Sequence, residues 1–178
     1  MTFAPAAGTF PRRRCQPVRG HMKQMLAMCA IALTTACGKP VDVAKAVQVN
    51  VITSGWVPAA SPGGRNKIVP SITVTLKDTS ADTLNALQVN AVFRLISTND
   101  ELSSDFKPAS GSGGLAPGAT TDKVVLKANL GYTGTDPVDE LLRNSKFVDA
   151  KVEVFVKAGP GQWTRVGEYP IAREFTGG

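Results

Sequence analysis

Ser71-Ile72-Thr73-Val74-Thr75-Leu76-Lys77 is the stretch that decides the fold. Ile72, Val74 and Leu76 occupy alternate positions, and the two-residue period of an extended chain puts all three on one side. Ser, Thr and Lys fill the other side, which is the pattern of an antiparallel strand with one face buried and one in water. The same rhythm recurs outward along the chain. Val47, Val49 and Val51 alternate with Gln48 and Asn50. Leu87 to Ile96 carries Leu87, Val89, Ala91, Phe93 and Leu95 on one face, and Val148 to Lys157 carries Ala150, Val152, Val154 and Val156. Thr121 to Ala128 reads as a further strand, and Leu102 to Phe106 as a short edge strand inside a polar stretch. The last strand, Trp163 to Phe175, contains Pro170, which cannot donate to a ladder and marks an edge or a break.

Between these runs lie turn residues: Pro58 to Lys67 with Pro62, Gly63 and Gly64, then Asp78 to Thr83, then Gly111 to Gly114, then Gly159-Pro160-Gly161. Only Gly131 to Asn144 departs from the β pattern. There Asp136 is placed to cap a helix of about two turns that starts at Pro137, with Asp139 and Glu140 in its first turn and Leu141 and Leu142 to dock it. About seven short strands and one short helix imply an all-β, Ig-like antiparallel β-sandwich, preceded by a signal-peptide helix.

Leu76-Lys77-Asp78-Thr79-Ser80, followed by Val89 to Phe93 and then Leu115-Ala116-Pro117-Gly118, resembles the small bacterial Ig-like domains of lipoproteins and other envelope proteins, among them those called FxLYD domains. The resemblance covers roughly Val47 to Ala128. It implies an exported binding or assembly module.

The first residues carry an address rather than a fold. Met25 to Leu33 is a short apolar run with Lys23 before it and small residues after it, the layout of a secretory signal. Extended to Ala36 it is still short of the roughly 20 residues that cross a bilayer as a helix. Leu33-Thr34-Thr35-Ala36-Cys37 resembles the lipobox of bacterial lipoproteins, which implies acylation of Cys37 and attachment to a lipid membrane. Ordinary signal-peptidase cleavage nearby is the alternative. Upstream, Met1 to His21 is rich in Pro and Arg and has no apolar period. It reads as an extended n-region or, the preferred alternative, as sequence ahead of a true start at Met22. The expected organisation is a leader at 1–36, with the signal peptide at 22–36, a lipid-attached tether at 37–46 and the sandwich at 47–176. The chain is then anchored to a bacterial membrane facing the periplasm, or is periplasmic or secreted if not acylated.

Removing the leader changes the charge. The chain has 20 basic and 14 acidic residues, and Arg12, Arg13, Arg14, Arg19 and Lys23 all precede Cys37, leaving 15 basic against 14 acidic. With basic residues scattered singly among carboxylates, nucleic acid is not an expected partner. Cys15 and Cys29 leave with the leader, so Cys37 is the last thiol and no intrachain disulfide is expected.

The same removal takes away His21, the single histidine. Ser-His-Asp and Cys-His hydrolysis and the usual zinc sites are thereby excluded, and no catalytic residue, cofactor or metal is expected. Asp136, Asp139 and Glu140 lack the interrupted spacing of a calcium loop and read as cap and dipole partners. Gly111 to Gly114 opens no helix and has no following Lys-Ser/Thr, so it is no phosphate cradle. The large aromatics remain. Trp56, Tyr132, Trp163 and Tyr169 read first as core and sandwich-end packing, with a ligand-facing patch as the alternative. On that alternative Trp56, Tyr132 and Trp163, together with Thr133 in the Gly131-Tyr132-Thr133-Gly134 excursion, are the candidate partner contacts. The expected function is noncatalytic: the sandwich of an exported lipoprotein mediates protein or cell-envelope binding. The alternative is a structural or accessory subunit of a secretion or cell-surface assembly.

Overall fold

The computed structural model describes residues 41–176. The leader, the signal peptide and Cys37 lie outside the described residues. Within them the order is α1 (Val43–Ala46), β1 (Val47–Ala59), β2 (Asn66–Asp78), β3 (Gln88–Leu95), β4 (Glu101–Pro108), β5 (Val124–Lys127), β6 (Tyr132–Gly134), α2 (Val138–Leu141), β7 (Ala150–Lys157) and β8 (Thr164–Pro170). The first sheet has the order β1-β2-β5, with β6 paired to the far end of β2, and the second has the order β4-β3-β7-β8. All pairs are antiparallel. This is the all-β sandwich that the alternating runs imply, with eight strands.

The period-two apolar positions meet in the core. Ile72, Val74 and Leu76 of β2 face inward with Val89, Ala91 and Phe93 of β3 and with Ala150, Val152, Val154 and Val156 of β7, all of them fully buried. β1 and β2 form a longer ribbon than the sequence suggests, because β1 runs on past Val51 to Ala59 through a bulge between Val51 and Thr53. The bulge resets the alternation, so that Trp56 returns to the buried side.

Four further elements differ from expectation. Val43 and Ala46, assigned to the tether, are buried in α1, and Thr79 N–H donates to Ala46 O at 2.8 Å, so this turn belongs to the folded body. Tyr132-Thr133-Gly134 is not a free excursion but a strand, paired with Asn66–Ile68. α2 is a single turn whose N-cap is Pro137, with no side-chain cap. Asp136 instead offers its main-chain carbonyl to Asn66 Nδ2 at 2.9 Å. Leu141 and Leu142 dock α2 as expected. The last strand stops at Pro170, and residues 171–176 leave the second sheet for the first: Ile171 N–H donates to Ala150 O, then Trp56 N–H donates to Glu174 O at 2.8 Å and Thr176 N–H to Trp56 O at 3.0 Å.

Polar bonds sew both open sides of the sandwich. On one side Asp105 and Ser103 of β4 accept the main-chain N–H groups of Lys127, the last residue of β5, and of Asn129 just after it, at 3.0 and 2.8 Å. On the other, Ser54 Oγ of β1 donates to Pro170 O at 2.7 Å. At the corner after β2, Asp78 is fully buried. Its Oδ1 accepts Ser80 N–H and Ser80 Oγ–H, both at 2.7 Å. The facing turn Ala116-Pro117-Gly118-Ala119 closes by Ala119 N–H to Ala116 O, with Gly118 at φ 74°, a type II turn that requires glycine there.

Leu76→Ala is expected to lower the unfolding free energy by about 2–5 kcal/mol in a urea titration. Lys77→Ala, one position along on the opposite face, is expected to change it by no more than about 0.5 kcal/mol. Equal losses would contradict the face assignment.

Candidate functional site

The outer face of the second sheet is the part of the surface where register brings exposed aromatic and charged side chains together. Pairing aligns Phe106, Asn90, Phe155 and Arg165 in one row across the four strands, and Pro108, Gln88 and Lys157 in the next. Trp163 immediately precedes β8 at the end of that second row. Phe106 and Trp163 thus start from the two edges of the sheet, yet their rings meet at 5.9 Å with an 88° interplanar angle. They therefore lean over β3 and β7 toward each other. The pair stays in contact with water, Phe106 at 51% and Trp163 at 39% exposure. Lys157 Nζ lies 5.8 Å from the Trp163 ring centroid, a cation–π position.

The other half of the same face is charged. Glu153 and Glu168 stand directly opposite each other on β7 and β8, an arrangement that is repulsive by itself. Three cations offset that repulsion, and one of them, Arg165, touches both carboxylates. Arg94 Nε donates to Glu153 Oε2 at 2.9 Å, Arg165 lies between Glu153 (3.3 Å) and Glu168, and Lys151 reaches Glu168 at 3.3 Å. Arg94 also reaches Glu101 at 3.5 Å. The Arg94 hydrogen bond, opposed by desolvation and helped by the charges of Arg165, Arg94 and Lys151, holds the Glu153 carboxyl below its ordinary range.

The remaining candidate residues lie at the end of the first sheet and have a different role. Trp56 is 1% exposed and so is not available to a partner in this state, which agrees with the packing reading and goes against Trp56 as a partner contact. Its ring packs edge-on against Phe147 at 4.7 Å, and Phe147 stacks on Tyr132 at 4.6 Å. Tyr132 OH donates to Lys146 O, which ties β6 to the segment before β7. Arg173 covers the Phe147 ring at 4.9 Å and grips Asp149 through Nε and Nη2, at 2.5 and 3.2 Å. Thr133 is exposed on β6. Trp56 and Tyr132 are therefore brought together as packing, while Trp163 stands with Phe106 and Lys157 instead.

Phe106 and Phe147 were missed by sequence reasoning. Phe106 is the one aromatic in the polar run Glu101–Pro108, a signal that could have been read. Phe147 sits between α2 and β7 with no periodic context. Among the described residues no group of three or more His, Cys, Asp or Glu is placed to hold a metal ion, and no helix is long and apolar enough to cross a membrane.

No family model and no curated protein matches this chain. Among solved structures the chain is similar to the X-ray structure of Northeast Structural Genomics Consortium target SoR45. The identity is 11%, the match covers 73% of this chain and 89% of that one, and the TM-score is 0.42.

Because the folded state holds the Glu153 carboxyl below its unfolded value, this group contributes stability above the ordinary carboxylate range. That contribution disappears as pH falls through the lowered value. Glu153→Gln is expected to reduce stability at pH 7, with the difference from the parent narrowing as denaturation is repeated toward pH 2. A difference that is constant with pH would show that the carboxylate charge is not what Arg94 and Arg165 hold.

Proposed function

We propose that this chain is a noncatalytic exported lipoprotein, attached to the membrane through Cys37, whose sandwich binds another envelope protein with the outer face of its second sheet. The observation that carries the binding reading is the pair Phe106 and Trp163. Two large aromatics meet over a sheet face that they leave exposed to water. Aromatic side chains supply much contact area at little entropic cost, and they dominate the energetics of protein contacts. The run Thr34-Thr35-Ala36-Cys37 after an apolar stretch supports the anchored reading, as does the resemblance of Leu76–Ser80 and Leu115–Gly118 to envelope Ig-like domains. The scarcity of histidine and thiol supports the noncatalytic one.

Crosslinking in intact envelopes tests the surface. The double variant Phe106→Ala/Trp163→Ala is expected to lose the crosslinked partner at least tenfold while still folding cooperatively, with a stability loss of about 2–4 kcal/mol for two half-buried rings and their mutual contact. An unchanged crosslinking pattern would remove the outer face from consideration. Mass spectrometry of the N-terminal peptide tests the anchor, with a diacyl or triacyl mass on Cys37 expected and an unmodified or cleaved cysteine against it.

A further inference from the structure

We propose that residues 171–176 form a strap that lifts from β1 as a unit while both sheets stay folded, and that it thereby opens and closes access to Trp56. The strap has a firm root and a weak end. At the root, Ile171 is buried and its N–H donates to Ala150 O of the second sheet. Beyond it Ala172, Arg173, Glu174 and Phe175 are all exposed, so little apolar burial holds them down. What does hold them is, first, two main-chain hydrogen bonds to Trp56. The second hold is Arg173, which lies over the Phe147 ring, donates to Phe147 O at 3.4 Å and grips Asp149 in a pair whose side chains are both about half exposed and open to screening.

Two features of β1 point to a closure that can reverse. Gly55 lets the strap come close: a Cβ at this position would stand 2.7 Å from Glu174 O and 2.7 Å from Thr176 Cγ2. Trp56, paired with the strap through its main chain and packed on the Phe147 ring that Arg173 covers, buries its indole Nε1 with no hydrogen-bond acceptor. Burying a donor without a partner costs free energy in the closed state, and the donor regains water when the strap lifts. A surface cavity of about 460 Å³ already lies between the strap residues Arg173, Glu174 and Phe175 and the α2 side, at Asp139, Leu142 and Arg143. There is space beside the strap rather than packed core. Opening would turn Trp56 from a packing residue into a surface aromatic.

Amide hydrogen exchange on the full chain reads the two bonds directly, since Trp56 N–H and Thr176 N–H are their donors. Both are expected to exchange at least tenfold faster than Ala91 of β3 and Val152 of β7, with Ile171 protected. Exchange of Trp56 and Thr176 as slow as that of Ala91 and Val152 would overturn the proposal. A second arm uses Trp163→Phe, which leaves Trp56 as the single tryptophan. Adding Gly55→Val is expected to raise acrylamide quenching at least twofold and to shift emission to the red, with Ala91 and Val152 exchange unchanged. Arg173→Ala serves the same purpose if Gly55→Val does not fold. Unchanged quenching in both variants, or a rise only with lost protection at Ala91 and Val152, would show that the strap is an integral part of the sandwich.

Discussion

Two apolar sheet faces have to press together before any other side chain in this protein has a fixed place. β2 brings Ile72, Val74 and Leu76 to that contact, β3 brings Val89, Ala91 and Phe93, and β7 brings Val152, Val154 and Val156. Each of the larger side chains contributes about 1.5–3 kcal/mol when removed from water. Slipping one strand by a single residue would turn its whole set outward, so the burial also fixes the register. The outer face inherits that register. Phe106, Asn90 and Phe155 share a row because Asp105, Ala91 and Val154, their neighbours in sequence, share the row beneath.

A pressed pair of sheets leaves four strand edges, and each edge offers unpaired main-chain groups to any passing strand. This chain closes them by local means. β4 carries a bulge near Arg94 and ends in Pro108, while its Asp105 and Ser103 turn to cap N–H groups at the end of β5 and just after it. β8 has its own bulge and ends in Pro170. On β1, Trp56 gives both its main-chain groups to residues 174 and 176. With the edges closed in these ways, the surface left for contact consists of faces and turns.

The core was legible because a period of two is a local signal that burial merely confirms, as the full burial of Ile72, Val74 and Leu76 shows. What lay outside the signal was set by long-range contact. The bulge after Val51 cannot be read from Val-Ile-Thr, yet it decides that Trp56 points inward. Tyr132-Thr133-Gly134 becomes a strand because Asn66–Ile68 extends far enough to pair with it, and three residues are too few to show a period. Asp136 looked like a helix cap from its neighbours Pro137, Asp139 and Glu140. Its carbonyl is instead taken by Asn66 from the far end of β2. On the outer face of the second sheet Trp163 was legible as a large aromatic, whereas its meeting with Phe106 depends on a strand order that no local pattern carries.

The two halves of the outer face differ in what they can give a partner. In the charged half Arg94, Arg165 and Lys151 are already matched to Glu153, Glu168 and Glu101. A partner laid over them would have to strip water from ion pairs that gain little new attraction, and such pairs roughly break even on burial. In the aromatic half Phe106 and Trp163 are wet apolar rings with no such prior engagement beyond each other and Lys157. Covering the two rings releases water, and the Lys157 ammonium beside Trp163 is the one charge there whose hydration is disturbed. Affinity for a protein partner would therefore concentrate at Phe106 and Trp163, and the charge lattice beside them would act on orientation and on which partners are refused.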